Sequence, residues 1–276
     1  MTPVAFQLGA LTVYWHGLWW SVAALVAAYV AARQAPTYGE HPGHVWRVLP
    51  WVILFALVGG RVYHVISRPP VDFAGWAYYQ SRPAAIFALN GGAWRGFGLV
   101  GALGGGILAL FLYTRYYQLS LRRWLDIAAP GLLLAQAIGR IGNVINQEIY
   151  GPPTTLPWGL FIDASHRVGP YRDLVMYPLE TTRFHPVALY EAVWNLIGFG
   201  VLLGVSRCVK DRARPGEIFL GYAVWYSVGR LALDNLRVDV WRLPLFSLSV
   251  EQFLSILIIT TVVVIQGYRW RSSKEP

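Results

Sequence analysis

The sequence predicts an all-α integral membrane protein with about seven transmembrane helices, and three observations support this fold class. Hydrophobic residues make up 55% of the 276 residues and charged residues only 13%, whereas soluble domains carry about 25% charged residues. The mean hydropathy is +0.43. The apolar residues also fall into separate runs of roughly 20 residues, which is the length that crosses a bilayer.

The apolar runs form a single predicted transmembrane domain that comprises residues 1–276. The third run contains the glycine-rich stretch GALGGG. Because small residues allow helices to approach closely in lipid, we expect a tightly packed helix there. The predicted spans are residues 13–32, 47–66, 96–114, 127–146, 187–205, 217–235 and 248–267.

The basic residues predict the orientation of these spans. The loops on one side carry Arg33, Arg47, Arg115, Arg122, Arg123, Arg207, Lys210, Arg212, Arg214, Arg269, Arg271 and Lys274. Basic residues collect in cytoplasmic loops, so we expect a cytoplasmic C-terminus and an N-terminus outside. The segment 147–186 then lies outside the cytoplasm and is long enough for a small head. This topology accounts for the net charge of +9 without nucleic acid as a partner.

Polar residues interrupt the apolar runs on the predicted outer side. The stretch GRIGNVINQEIYG, residues 139–151, ends the fourth run, and polar groups at such a depth usually have a function. Arg61, Arg140 and Arg230 each lie in the last third of a span that runs outward. Asp234 follows Arg230 by four residues, a spacing that places both on one helical face. Further polar residues near this depth are His16, His64, Asn143, Asn146, Glu148, His185, Tyr190 and Glu191.

Three guanidinium groups at one depth predict a site for an anionic lipid headgroup. A guanidinium keeps its charge and presents a planar set of donors that matches phosphate. The alternative is that these arginines extend to the membrane surface, or pair with Glu148, Asp234 and Glu191 to hold the helices together. Their shared depth and side favour the lipid site.

The polar stretch GRIGNVINQEIYG resembles the signature of the bacterial phosphatidylglycerol–prolipoprotein diacylglyceryl transferases. Shorter pieces agree with that family in the same order, and together they cover nearly the whole chain. These pieces are VGGRVYHV, DIAAP, PWGLF, FHPVALYE, GRLALDNLR and SVEQFLS.

The resemblance implies a multi-pass enzyme of the bacterial cytoplasmic (inner) membrane. Such enzymes move a diacylglyceryl group from phosphatidylglycerol to the lipobox cysteine of a preprolipoprotein, which forms a thioether and releases glycerol phosphate. Phosphatidylglycerol and the prolipoprotein signal peptide are therefore the expected partners. We expect no cofactor and no metal, since no cluster of cysteine and histidine has ligand spacing.

Site residues follow from the resemblance position by position. Arg140, Arg230 and Glu148 are the implied catalytic candidates, and His16 is added as a candidate base. Asp234 stands where the family has a glutamate. The candidate substrate-binding residues are Arg140, Asn143, Asn146, Gly151, Arg61, Asp234, His185, Tyr190 and Glu191.

The chain departs from the family pattern at three positions that bear on mechanism. His16 stands where the family usually has a tyrosine, Gly96 stands where it has a histidine tied to activity, and Gln147 replaces the glycine of an NGE motif. His16 could supply the lost imidazole, because histidine accepts a proton near neutral pH. Alternatively His16 only forms hydrogen bonds within the helix bundle, or no histidine is required.

Three other functions compete with this interpretation. The missing histidine at position 96 is compatible with a divergent paralogue that binds anionic phospholipid but uses a different acceptor. An anion or lipid transporter would place its arginines near the midplane, often in paired repeats, and no such repeat is visible. A structural membrane protein would use the arginines for folding. The sequence predicts neither acyl-chain preference nor oligomeric state.

Overall fold

The computed structural model describes most of the chain. The chain divides into two compact units. One comprises the described parts of Trp15–Ala27 and Ala128–Pro276, and the other those of Val4–Tyr14 and Ala28–Ile127. The described residues are 4–8, 11–66, 76–80, 83–86, 98–209, 213–240 and 247–272.

A helix lies at each of the apolar runs that the sequence predicts to be a span. Among the described residues, one further short α-helix, α3, precedes α4. The helices are α1 (Trp15–Gln34), α2 (Gly43–Ile66), α3 (Trp76–Gln80), α4 (Leu99–Tyr116), α5 (Leu121–Ile145), α6 (Val187–Val209), α7 (Glu217–Leu233) and α8 (Val250–Ser272).

Four of the helices in the described part of the chain, α2, α5, α6 and α8, are long and apolar enough to cross a membrane. The remaining long helices, α1, α4 and α7, have 20, 18 and 17 residues. The chain is thus an α-helical membrane protein. The count of seven spans and the direction of the termini stay predictions.

The beginning of the chain contains two short strands that the all-α prediction did not include. Two antiparallel strands, β1 (Val4–Leu8) and β2 (Leu11–Tyr14), precede the first helix. The predicted span at 13–32 included the end of β2, whereas α1 begins at Trp15. The sequence LTVY consists largely of β-branched and aromatic residues that favour strands, so the apolar character continued across a change of structure.

Glycines bring α2 and α4 into close contact, as the glycine-rich third run predicts. A Cβ at Gly59 would meet the carbonyl oxygen of Gly101, and a Cβ at Gly101 would meet that of Gly59. One turn further along α4, a Cβ at Gly105 would meet the carbonyl oxygen of Phe55. Backbones at this separation leave no room for a side chain.

The helices α5 to α8 place their polar ends together. Ala129 and Leu133 of α5 pack with Leu202 of α6 and Ile218 of α7 in one buried cluster. Contacts among the charged residues described below join the C-terminal ends of α5 and α7 to the N-terminal ends of α6 and α8. Cations near helix C-termini and anions near N-termini are favoured by the helix dipole.

The segment 147–186 contains a small hydrophobic core of its own. Tyr150, Ile162 and Phe184 are buried together, and Phe184 forms isolated β-bridges with Pro153 and Leu160. Burial raises the pKa of Tyr150, and this effect outweighs that of the hydrogen bond from the backbone of Val168. The tyrosine therefore stays a neutral hydroxyl in this core.

A buried arginine also stabilises the segment 147–186. Arg167 is 1% exposed and donates hydrogen bonds to the carbonyl oxygens of Ile162 (3.0 Å) and Tyr177 (2.5 Å). Its guanidinium also lies 5.0 Å from the centre of the Phe184 ring, a distance at which a cation is attracted to an aromatic face. The segment is thus an ordered part of the structure, while its extracytoplasmic side stays a prediction.

Candidate active site

Two arginines from different helices bind one carboxylate. Glu191, in the second turn of α6, pairs through Oε2 with Nη2 of Arg140 on α5. Its other oxygen, Oε1, lies 3.3 Å from Nη1 of Arg230 on α7. All three side chains are at least 85% buried. The sequence prediction that Arg140, Arg230 and Glu191 share a site is consistent with this geometry, and so is the alternative in which the arginines pair with acidic residues.

The second carboxylate of the cluster connects α7 to α8. Asp234 is fully buried, and its Oδ1 lies 3.1 Å from Nη1 of Arg230. Its Oδ2 accepts a hydrogen bond from Ser249 at 3.0 Å. Ser249 and Gln252 form a reciprocal capping box at the beginning of α8, with backbone-to-side-chain bonds of 2.9 and 3.0 Å. The box positions the serine hydroxyl against Asp234.

A third arginine approaches the cluster from the chain after α7. Nη1 of Arg237 lies 3.6 Å from Oδ1 of Asp234, and Arg237 binds Asp239 with two bonds of 3.0 and 2.9 Å. Burial alone lowers the pKa of Arg237, but the hydrogen bond and charge of Asp239 raise it above its ordinary value. The three guanidinium groups are thus paired with three carboxylates, of which Asp239 is more exposed than Glu191 and Asp234.

A chain of hydrogen bonds leads from Arg140 into the loop after α5. Nη1 of Arg140 donates to Asn143 (3.3 Å), and Asn143 donates to Oε2 of Glu148 (3.0 Å). Asn146 donates to the other oxygen of Glu148 at 3.3 Å. The residues of the stretch 139–151 thus form a connected set, and Glu148 contacts the asparagines rather than an arginine in the described hydrogen bonds.

Two tyrosines of α7, Tyr226 and Tyr222, also support Arg230. Nε of Arg230 donates to the hydroxyl of Tyr226 at 2.9 Å, and the guanidinium lies 5.3 Å from the centre of that ring. The Tyr226 ring stacks on Tyr222, whose hydroxyl accepts a hydrogen bond of 2.8 Å from Gln136 of α5. This row of side chains fixes the direction of the guanidinium.

Gly151 is required by a close approach of the backbone. A Cβ at this position would lie 2.7 Å from the carbonyl oxygen of Leu236 and 2.9 Å from Cβ of His185. The Gly151 amide donates to the carbonyl oxygen of His185 at 2.9 Å. The glycine therefore brings the loop after α5 close to the residues before α6 and to the 3-10 turn Asp234–Leu236 that follows α7.

His185 and Tyr190, which lie close to Glu191 in the sequence, form a separate polar contact. The hydroxyl of Tyr190 lies 3.1 Å from Nδ1 of His185 and accepts a hydrogen bond of 2.9 Å from Trp158. Trp158 belongs to the segment 147–186, so this pair attaches that segment to α6.

Two tryptophans lock α6 to α7 next to the charged cluster. The rings of Trp194 and Trp225 stack with centroids 4.6 Å apart, and each indole donates a 3.1 Å hydrogen bond to the backbone carbonyl of the other residue. Gly198 and Gly229 provide the space, because a Cβ at either would meet an indole. The same rings line an apolar groove of about 500 Å³ beside α8.

Arg61 lies in the other compact unit. Its Nε donates to the carbonyl oxygen of Ile86 at 3.0 Å, and its guanidinium lies 5.4 Å from the centre of the Tyr79 ring. His64, one turn later, contacts the same ring edge to face. The assignment of Arg61 to the phosphate site stays a prediction. Likewise, the side chain of His16 and all of Gly96 lie outside what the structure describes.

Several contributors to the cluster were missed by the sequence analysis. Ser249 and Gln252 carry the S-x-x-Q signal of a capping box before an apolar run, and this signal was available. Tyr226 precedes Arg230 by four residues, the spacing of neighbours on one helical face. The contact between Trp194 and Trp225 has no comparable sequence signal, because it depends on how α6 and α7 pack.

These features define a class: an α-helical membrane protein with a buried network of arginines and carboxylates at one end of four helices. The chain belongs to the prolipoprotein diacylglyceryl transferase family, whose model matches residues 3–268. The resemblance predicted from the motifs is thereby confirmed.

Curated relatives with the same description match over most of their length. The phosphatidylglycerol–prolipoprotein diacylglyceryl transferase of Chloroflexus aggregans is 42% identical over 245 residues, which cover 86% of this chain and 77% of the relative. That of Enterococcus faecalis is 37% identical over 273 residues, 99% of this chain and 92% of the relative. That of Halalkalibacterium halodurans is 34% identical over 268 residues, 96% of this chain and 86% of the relative.

Proposed function

We propose that the protein transfers a diacylglyceryl group from phosphatidylglycerol to the lipobox cysteine of a preprolipoprotein in the bacterial cytoplasmic membrane. Membership of the family and the names of the relatives support the reaction. The assignment of the site rests on one observation: Arg140 and Arg230 both bind the carboxylate of Glu191. We place the phosphate of the lipid against these two guanidinium groups.

The reaction forms a carbon–sulfur bond and breaks a carbon–oxygen bond. The cysteine sulfur, as thiolate, attacks the terminal glyceryl carbon of the diacylglyceryl group, and the electron pair of the broken bond goes to the phosphate oxygen. The phosphodiester, with one negative charge, becomes a phosphomonoester with two. Guanidinium groups fixed beside the leaving oxygen stabilise this added charge.

The fixed directions of the guanidinium groups suit that substrate. Arg140, Arg230 and Arg237 carry three positive charges, which Glu191, Asp234 and Asp239 balance before the lipid binds. The two buried carboxylates fix the guanidinium groups before the lipid binds, so little reorganisation is needed in the reaction. Glu191 and Asp234 are thus assigned to orientation rather than to proton transfer.

An unpaired acceptor offers a place for the glycerol headgroup. Oδ1 of Asn146 is buried and has no hydrogen-bond partner in the described part of the structure, although Nδ2 of the same side chain binds Glu148. A buried polar atom without a partner calls for a ligand or water. We assign this oxygen to a hydroxyl of the phosphatidylglycerol headgroup, which donates a hydrogen bond.

The thiol proton requires an acceptor, and His16 is the candidate that the sequence offers in place of the family's histidine. The proposed topology, with the N-terminus outside and seven spans, puts His16, the charged cluster and the head 147–186 at the outer side. A His16→Phe variant with full transfer activity would remove His16 from the mechanism and leave electrostatic stabilisation as the main contribution.

The decisive experiment is an assay of the purified protein with phosphatidylglycerol and a lipobox peptide. We expect the wild type to release glycerol phosphate and Arg140→Gln to release almost none. Arg123→Gln is the matched control, because Arg123 is 43% exposed and pairs with Glu40 outside this cluster. A wild-type protein that binds phosphatidylglycerol but leaves the peptide unmodified would instead support the divergent paralogue that the loss of histidine at position 96 suggests.

A further inference from the structure

The helix α5 ends in a backbone conformation that favours glycine, yet the residue there is glutamine. Gln147 has φ of 55°, in the left-handed region. The backbone amides of Gln147 and Glu148 donate to the carbonyl oxygens of Val144 (3.1 Å) and Asn143 (2.8 Å), which is the hydrogen-bond pattern of a Schellman cap. Glycine is the usual residue at this position of the cap, as it is in the NGE motif of the family.

The side chain of Gln147 has a partner that glycine could not bind. Its Nε2 donates to Oδ2 of Asp163 at 2.7 Å, and its Oε1 accepts from the backbone amide of Asp163 at 2.6 Å. Both ends of the amide are therefore used on one residue. We name this pair of bonds the Gln147–Asp163 clasp.

Asp163 directs its side chain to the clasp instead of to its own turn. It precedes the 3-10 turn Ala164–His166 at the N-cap position, but its side chain makes no capping hydrogen bond there. Aspartate at an N-cap normally caps. The carboxylate therefore connects the segment 147–186 to the loop after α5.

Gln147 lies in sequence between two residues, Asn146 and Glu148, of the hydrogen-bonded set that leads to Arg140. Glu148 accepts from Asn146 and from Asn143. Asn143 in turn accepts from Arg140. A rotation of the backbone at Gln147 would therefore move Glu148 and, through Asn143, the guanidinium of Arg140.

We propose that Gln147 is a positioning residue for the transfer reaction, which acts by tying Asp163 to the loop that orients Arg140. This proposal rests on the proposed function. Gln147 does not contact the reacting atoms; it fixes the direction of Glu148 and Asn143. The glutamine thus occupies a backbone conformation that favours glycine and adds a connection to the head.

The main test compares two glutamine-to-glycine variants. Gln147→Gly relieves the left-handed conformation and keeps the cap, but it removes the clasp. We expect a thermal midpoint close to that of the wild type. The kcat for glycerol phosphate release should be lower by about tenfold, because a small displacement of catalytic side chains slows the reaction. Amide exchange in residues 157–166 should become faster.

The chain supplies a matched control at the end of α4. Gln118 has φ of 54° and the same cap, with Leu119 and Gln118 donating to Thr114 (2.8 Å) and Arg115 (3.4 Å). Its side chain bonds only to the carbonyl oxygen of Arg115 among the described hydrogen bonds. Gln118→Gly should leave kcat unchanged. A lower kcat in Gln147→Gly would then result from the loss of the clasp and not from placing glycine in a helix cap.

An exchange of donor and acceptor tests the clasp itself. Gln147→Glu places two carboxylates together and should lower kcat more than Gln147→Gly. In the double variant Gln147→Glu/Asp163→Asn, the asparagine amide donates to the glutamate, and we expect kcat to return to within about twofold of the wild type. Wild-type kcat in Gln147→Gly, or no recovery in the double variant, would overturn the proposal.

The outcome is separable from that of the proposed function. If the wild type released no glycerol phosphate, the transfer reaction would fail as a proposal. The exchange rates of residues 157–166 in Gln147→Gly and in the double variant would still test the clasp, because they require no activity. Unchanged exchange in Gln147→Gly would contradict it.

Discussion

Arg140 and Arg230 bind opposite oxygens of one carboxylate, that of Glu191. The two arginines come from α5 and α7, and the glutamate from α6, so a single side chain joins three helices. A buried carboxylate between two guanidinium groups keeps both cations in fixed directions. The same arrangement makes the cluster sensitive to the removal of any one charge.

The first prediction concerns the stability of this cluster. Glu191→Gln should destabilise the protein by about 3 kcal/mol, because two buried guanidinium groups lose their shared anion. The double variant Arg140→Gln/Glu191→Gln removes one charge of each sign and should recover part of this loss. Thermal unfolding in detergent of the wild type, the two single variants and the double variant would measure the coupling between Arg140 and Glu191 as a double-mutant cycle. Additive losses would mean that Glu191 does not couple the helices.

The second prediction concerns the geometry of the cation at position 230. Arg230→Lys keeps the charge, but one ammonium cannot bind Tyr226, Glu191 and Asp234 as the guanidinium does. We expect about 100-fold slower release of glycerol phosphate, with the phosphate contact weakened in the transition state. The equivalent change at the surface, Arg123→Lys, should have no effect. Equal rates for the two variants would show that charge alone suffices at position 230.

The third prediction concerns the cap of α8. Ser249→Ala removes the hydroxyl that binds both the Gln252 amide and Asp234, and it should lower the free energy of unfolding by about 2 kcal/mol. Ser249→Thr keeps the hydroxyl and should retain most of the stability. A chemical denaturation series on the two variants tests this difference. An alanine variant as stable as the wild type would mean that water replaces the hydroxyl.

The fourth prediction concerns the packing of the two tryptophans. Gly229→Ala places a methyl group against the Trp194 indole and should destabilise the contact of α6 and α7 by about 2 kcal/mol. Gly204→Ala, on α6, is the control, since a Cβ there has nothing within 4 Å. That variant should gain stability, because alanine is the better helix former. Thermal midpoints that fall equally in both variants would refute the packing argument.

The fifth prediction concerns Gly151. An alanine there would contact the carbonyl oxygen of Leu236 and the side chain of His185, so the loop after α5 must move. We expect Gly151→Ala to fold but to lose most of its transfer activity, because that loop carries Glu148 and Asn146. Retained activity would show that the loop and its neighbours yield without disturbing Arg140.

The sequence by itself determined the membrane class and the positions of the long helices. In lipid, an apolar run of about 20 residues must satisfy its backbone internally, and a helix is the structure that does so within one segment. The strands Val4–Leu8 and Leu11–Tyr14 were missed because apolar character alone does not separate a strand from the beginning of a helix. The family was predicted from the motifs, above all the stretch 139–151.

Tertiary structure decided which polar groups meet. The sequence placed Arg140, Arg230 and Glu191 at similar depth, but it left open whether they bind lipid or one another. The contact of Arg230 with Glu191 joins residues 39 positions apart, and it depends on the rotation and packing of α6 and α7, which periodicity does not fix. The same holds for the clasp between Gln147 and Asp163: only the folded loop brings a glutamine in a left-handed conformation within hydrogen-bond distance of that aspartate.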